Sequence, residues 1–98
     1  MEVRIQSIHF DASEQLRSFI NKKVAKLEKF HEDITVAEVS LKVVKPETAA
    51  NKEAGIKILA PNSEFYANKI CDTFEEAIDL SVEALEKQLQ KSKERLRK

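Results

Sequence analysis

In the stretch Asp72 to Lys98, DTFEEAIDLSVEALEKQLQKSKERLRK, apolar residues return every three or four positions. At about 100° per residue, Phe74, Ile78, Ser81, Val82, Leu85, Leu89, Ser92 and Leu96 fall on one arc, which predicts a long amphipathic helix with that arc buried. Asp72 or Thr73 can cap it. Its charges are sorted. Glu75, Asp79, Glu83 and Glu86 lie on one flank of the arc, while Lys87, Lys91, Arg95 and Lys98 follow one another on the other. Two explanations fit this sorting. The helix macrodipole favours acids in the first turns and bases in the last by about 0.3 to 1 kcal/mol each, and a basic stripe facing an anionic partner produces the same order.

Working back from that helix, the rest of the chain predicts one compact unit, residues 1–98, with a single core. Val3 and Ile5 alternate with Arg4 and Gln6, a period of two that predicts a half-buried strand. Asp11 or Ser13 can cap a helix running to about Phe30, with Glu14 completing a capping box on Asp11. The apolar arc of that helix is Leu16, Phe19, Ile20, Val24, Leu27 and Phe30. Lys22, Lys26 and Lys29 share its polar side, but Lys23 projects from the middle of the apolar arc. Snorkelling, with the methylenes over the core and the ammonium in water, is one account of Lys23.

Ile34 to Lys45, rich in β-branched residues, predicts a second strand in which Val36, out of phase with Val39, points to a bulge. Pro46 ends it, and Glu47 to Glu53 has the composition of a loop. Ala54, Ile56 and Ile58 share one face of a third strand. Pro61-Asn62-Ser63 is turn chemistry, and Phe65 and Ala67 alternate with Tyr66 and Asn68 in a fourth strand ending near Cys71. The order strand, helix, three strands, helix allows the first crossover to lay strand two parallel to strand one, followed by a meander. This is an α+β arrangement with the helices able to cover one face of the sheet.

Seventeen bases balance seventeen acids, so net charge gives no sign of a polyanionic partner, and any such role must rest on segregation of charge. A lone cysteine, Cys71, excludes an internal disulfide, reads as a small packing residue and suits a reducing cytoplasm. No basic leader precedes an apolar run at Met1-Glu2-Val3-Arg4-Ile5, and no apolar stretch reaches spanning length, so neither export nor a membrane span is expected. His9 and His31 lack the spacing of paired metal ligands, and Gly55 alone cannot build a phosphate-cradling loop. Glu75 and Glu76 sit at a helix start that keeps carboxylates ionised. We expect no catalytic residues, no metal and no cofactor.

Leu16-Arg17-Ser18-Phe19-Ile20 and Lys23-Val24-Ala25-Lys26-Leu27-Glu28, together with Ala77-Ile78-Asp79 and Leu85-Glu86-Lys87-Gln88-Leu89-Gln90-Lys91-Ser92-Lys93, resemble the bacterial ribosome hibernation factors, the sigma-54 modulation protein family, in its short form. The resemblance spans almost the whole chain. It implies a four-stranded mixed sheet in a two-layer β-α-β-β-β-α domain, with two near-parallel helices on one face, like a double-stranded-RNA-binding domain. It further implies binding to the small ribosomal subunit in the channel of messenger and transfer RNA, and silencing of translation under stress or in stationary phase.

The residues that carry over as contacts with ribosomal RNA are Arg17, Lys23 and Lys26 in the first helix and Lys87, Lys91 and Lys93 in the second. The helical wheel adds Lys22, Lys29, Arg95, Arg97 and Lys98. On this account Lys23 emerges where phosphates lie, and the cations of both helices converge into one ridge. A chain ending at Lys98 would need a second factor to pair ribosomes. The reading from another class is a protein-interaction module that uses the acidic flank of the last helix or an uncovered sheet edge.

Overall fold

The computed structural model describes residues 1–8, 10–44 and 50–96, with side chains described as far as residue 92. The first strand, β1 (Glu2–Ile8), pairs in parallel with β2 (Val36–Val43). A parallel pair needs a crossover, and α1 (Glu14–Ala25) supplies it. Strands β3 (Lys52–Ala60) and β4 (Ser63–Cys71) then continue antiparallel, giving a mixed sheet of order β1-β2-β3-β4 before α2 (Phe74–Leu96) closes the fold. The architecture is the expected α+β one.

Alternation decides which side of the sheet is covered. Ala37, Val39, Leu41, Ala54, Ile56, Ile58 and Ala67 all face the helices and are buried, while Arg4, Ser40, Tyr66 and Asn68 on the other register face solvent. Over the covered side, α2 packs mainly on β4 and β3 and runs beside α1. The arc drawn from sequence is the arc that is buried: Phe74, Ile78, Ser81, Val82, Leu85 and Leu89 lie in the core, and Ser92 is half-buried. Ser81 is tolerated there because its hydroxyl donates to the Ala54 carbonyl at 3.3 Å. The Phe10 and Phe74 rings stack with centroids 5.1 Å apart, tying the β1–α1 connection to the start of α2.

Several boundaries differ from the sequence reading. Ser13, not Asp11, caps α1: its Oγ accepts the Leu16 amide at 3.1 Å, which makes Glu14 the first helical residue and removes the capping box. The α-helix stops at Ala25, and Lys26–Lys29 tighten into a 3-10 turn, a frequent ending where carbonyls lack partners. Val36 makes no bulge. The register between β2 and β3 is one to one, so Val36 simply lies on the open face opposite Leu59. Lys52 and Glu53, expected in a loop, belong to β3 because Lys52 pairs with both Val43 and Cys71. His9 and the segment from Lys45 to Ala49, including the expected break at Pro46, lie outside the described residues.

Pro61 and Asn62 join β3 to β4. Proline holds a negative φ, and Asn62 takes φ 61°, the left-handed conformation that asparagine tolerates better than most residues. On the second connection Thr73, not Asp72, caps α2, its Oγ1 accepting the Glu76 amide at 3.1 Å.

Candidate nucleic-acid interface

The helix layer presents its cations in a definite pattern. Lys22, Lys26 and Lys29 are exposed on the outer side of α1 and its 3-10 extension, and Lys87 and Lys91 are exposed on α2. None of these five makes an ion pair among the described residues. Two bases of the sheet are treated differently: Arg4 binds Glu2 at 2.6 Å and approaches Glu38 at 3.9 Å, and Lys57 binds Glu64 at 3.1 Å. These contacts hold the Glu2 carboxyl below its usual range and raise Arg4 and Lys57 above theirs, through the hydrogen bond first and the opposite charge second.

Lys23 sits between the two helices. Its Nζ lies 3.2 Å from Asp79 on α2 and 5.5 Å from the centroid of the Phe19 ring, and its side chain keeps 28% of its exposure. The position predicted as odd in the apolar arc is therefore a half-buried cation at the helix–helix junction. Lys26, three residues on, is exposed rather than half-buried. Arg17, about 120° from Lys23 on the wheel, is also exposed and turns its Nε back to the Ala12 carbonyl at 3.4 Å.

The bridge to Asp79 also fixes the orientation of α2. The acidic flank, with Glu75 and Glu86 beside Asp79 on the wheel, is the one turned toward α1. Lys87 and Lys91 open on the opposite flank, toward β4, where they line shallow clefts. The cations of the helix layer thus fall into two groups separated by an acidic strip, rather than one continuous ridge. Lys93 and Arg95 belong to α2, but their side chains lie outside the described residues, as do Arg97 and Lys98 entirely.

Lys69 went unnoticed in the sequence, although its signal was there. It occupies the core-facing register of β4 between Ala67 and Cys71, where alternation calls for an apolar residue. It is exposed beside Lys87. Cys71, next to it, is buried, and burial first, then the Glu76 and Asp72 carboxylates, push its thiol above the ordinary value. A raised thiol is a poor nucleophile.

Two helices on a four-stranded mixed sheet, with five exposed lysines on the helix layer that make no ion pair among the described residues, define the class: a small two-layer α+β domain. The sigma 54 modulation protein / S30EA ribosomal protein family model matches residues 3–97. A ribosome hibernation promoting factor of Pseudomonas putida is 33% identical over 95 residues, spanning 97% of this chain and 89% of that protein. The chain belongs to the sigma 54 modulation protein / S30EA ribosomal protein family. Among solved structures, a ribosomal subunit interface protein from Coxiella burnetii superposes with TM-score 0.83 at 22% identity, covering 95% of this chain and 98% of that one. The N-terminal domain of Thermus thermophilus Protein Y gives TM-score 0.79 at 22% identity over 93% and 98%. These two likenesses concern the fold.

Proposed function

We propose that this chain is a ribosome hibernation factor: a non-enzymatic, cytoplasmic ribosome-binding unit that docks on the small subunit in the channel of messenger and transfer RNA and blocks translation by occupying it. Where ribosomes pair, it works with a second factor. The observation that carries the reading is the set of exposed lysines on the helix layer, Lys22, Lys26, Lys29, Lys87 and Lys91, left without ion pairs among the described residues in a chain of zero net charge. Family membership and the hibernation-factor relative give that charge pattern its partner.

The physics is phosphate neutralisation. Each lysine that meets a phosphate releases condensed counterions, and the interaction needs charge density rather than base-specific geometry. Shape completes the recognition, since A-form RNA is read through its backbone and 2′-hydroxyls. No described helix is long and apolar enough to cross a membrane.

Co-sedimentation with purified small subunits across a salt series tests the reading. Binding should weaken with salt at roughly 0.7 to 0.9 log units per neutralised phosphate for each log unit of salt. Joint charge reversal at Lys23, Lys26, Lys87 and Lys91 should abolish binding, and reversal at Glu75 and Asp79 should preserve it. Loss of binding on reversing the acids would favour a protein-interaction module. A wild-type chain that binds to saturation yet leaves messenger-programmed translation intact would eliminate channel occlusion.

A further inference from the structure

Lys69 and Ile70 stand in the reverse of the order that the sheet's polarity asks for. Lys69 lies on the core-facing register, and Ile70, on the open face, is 50% exposed. Exchanging the two residue types would put the isoleucine on the helix-covered side and the lysine on the open face. The chain instead keeps a cation on the side of the sheet that carries the helices, on an edge strand where α2 leaves room for it.

Lys69 emerges beside α2 and, with Leu80, Glu83, Ala84 and Lys87, lines an open cleft of 300 Å³. A second cleft, of 470 Å³, places Lys91 against Asn62 of the β3–β4 turn and Ser63, Glu64 and Phe65 of β4. Gln88, on the wall of that second cleft, donates from Nε2 to the Tyr66 carbonyl at 2.8 Å and ties α2 to the outer edge of β4. Lys87 and Lys91, about one turn apart, are roughly 6 Å apart along the helix axis. Two carboxylates accompany the three lysines, and one of them, Glu64, is held by Lys57 at 3.1 Å.

We propose that this α2–β4 edge is a second phosphate-binding surface for an RNA backbone, separate from the lysines of α1, to which Lys69 contributes from the sheet. The proposal rests on the ribosome-binding reading and extends it to a residue outside both helices. The occupant is phosphate rather than protein because the two clefts offer three flexible point charges against little apolar surface, Leu80, Ala84 and the half-buried Phe65, while the other exposed apolar side chains of β4, Tyr66 and Ile70, lie on the open face of the sheet.

The test compares Lys69→Gln with Lys42→Gln, the same charge change at an exposed lysine on the open face of the sheet, in full-length protein bound to purified small subunits over a salt series. Lys69→Gln should weaken binding by roughly threefold to tenfold and reduce the salt slope by about one, and Lys42→Gln should bind as wild type. Equal losses in both variants, wild-type affinity for Lys69→Gln, or weaker binding at an unchanged slope would each overturn the proposal while ribosome binding stands. Absence of wild-type binding would remove the ribosome reading itself, and this proposal with it.

Discussion

Lys23 of α1 and Asp79 of α2 meet at 3.2 Å across the groove between the helices. Half-exposed pairs of this kind contribute about 0 to 1 kcal/mol, so the bridge does little for stability. Its consequence is electrostatic: Asp79 occupies an ammonium that, on the proposed function, binds an RNA phosphate. Asp79→Asn should leave the unfolding midpoint nearly unchanged, strengthen small-subunit binding a few-fold and steepen the salt slope by about 0.7 to 0.9. Unaltered affinity and slope in co-sedimentation would mean that Lys23 does not face phosphate.

Leu85 is fully buried between α2 and the sheet, whereas Leu80 on the same helix is 40% exposed. Truncating Leu85 to alanine removes core contacts and leaves a cavity, so Leu85→Ala should cost about 2 to 5 kcal/mol in urea unfolding. Leu80→Ala should cost less than about 1 kcal/mol. Similar losses at the two positions would contradict the orientation of α2.

The Cys71 thiol is raised in the fold, chiefly by burial. A group whose pKa is higher folded than unfolded lends stability that is complete below the unfolded value and is lost as pH rises toward the folded one. Wild type should therefore lose stability relative to Cys71→Ala as pH climbs from 7 past the ordinary thiol value of 9.0. Urea midpoints of the two proteins at stepped pH measure that difference, and parallel curves would refute it.

Gly55 lies on the open face of β3, where an added Cβ would come within 2.9 Å of the Tyr66 hydroxyl and 3.2 Å of the Asn68 amide nitrogen. Both are ends of exposed side chains, joined by a 3.2 Å hydrogen bond. They can swing away. Gly55→Ala should stabilise the protein by about 0.4 to 1 kcal/mol through the unfolded chain, while displacing Tyr66, the single tyrosine in a chain without tryptophan, and changing its fluorescence. Destabilisation would show that Tyr66 is held more firmly than its exposure implies.

Periodicity alone was enough to identify the buried face of α2 and of β3, though not the reversed order of Lys69 and Ile70 in β4. The arc from Phe74 to Leu89 needed no tertiary information, since a helix of that composition has one way to hide Ile78, Leu85 and Leu89. The same holds for Ala54, Ile56 and Ile58 in β3. Where two local solutions were close in energy, the sequence could not choose: Asp11 and Ser13 are both capping residues, and Val36 suits a bulge as well as the open face. Pairing decided Val36, because the one-to-one register with β3 leaves no extra residue there, and the hydrogen bond from the Leu16 amide decided for Ser13.

The sequence by itself determined that Glu75, Asp79 and Glu86 run on one flank of the last helix and Lys87 and Lys91 on the other, a relation internal to one helix and fixed by its period; Glu83, expected with the acids, instead lines the cleft beside Lys87. Only the tertiary structure decided which flank faces which neighbour. The sheet order sets α2 between α1 and the outer edge of β4, so Asp79 meets Lys23, while Lys87 and Glu83 line a cleft with Lys69. No local pattern carries that information, because it depends on contacts between residues far apart in the chain that exist only once the sheet has formed.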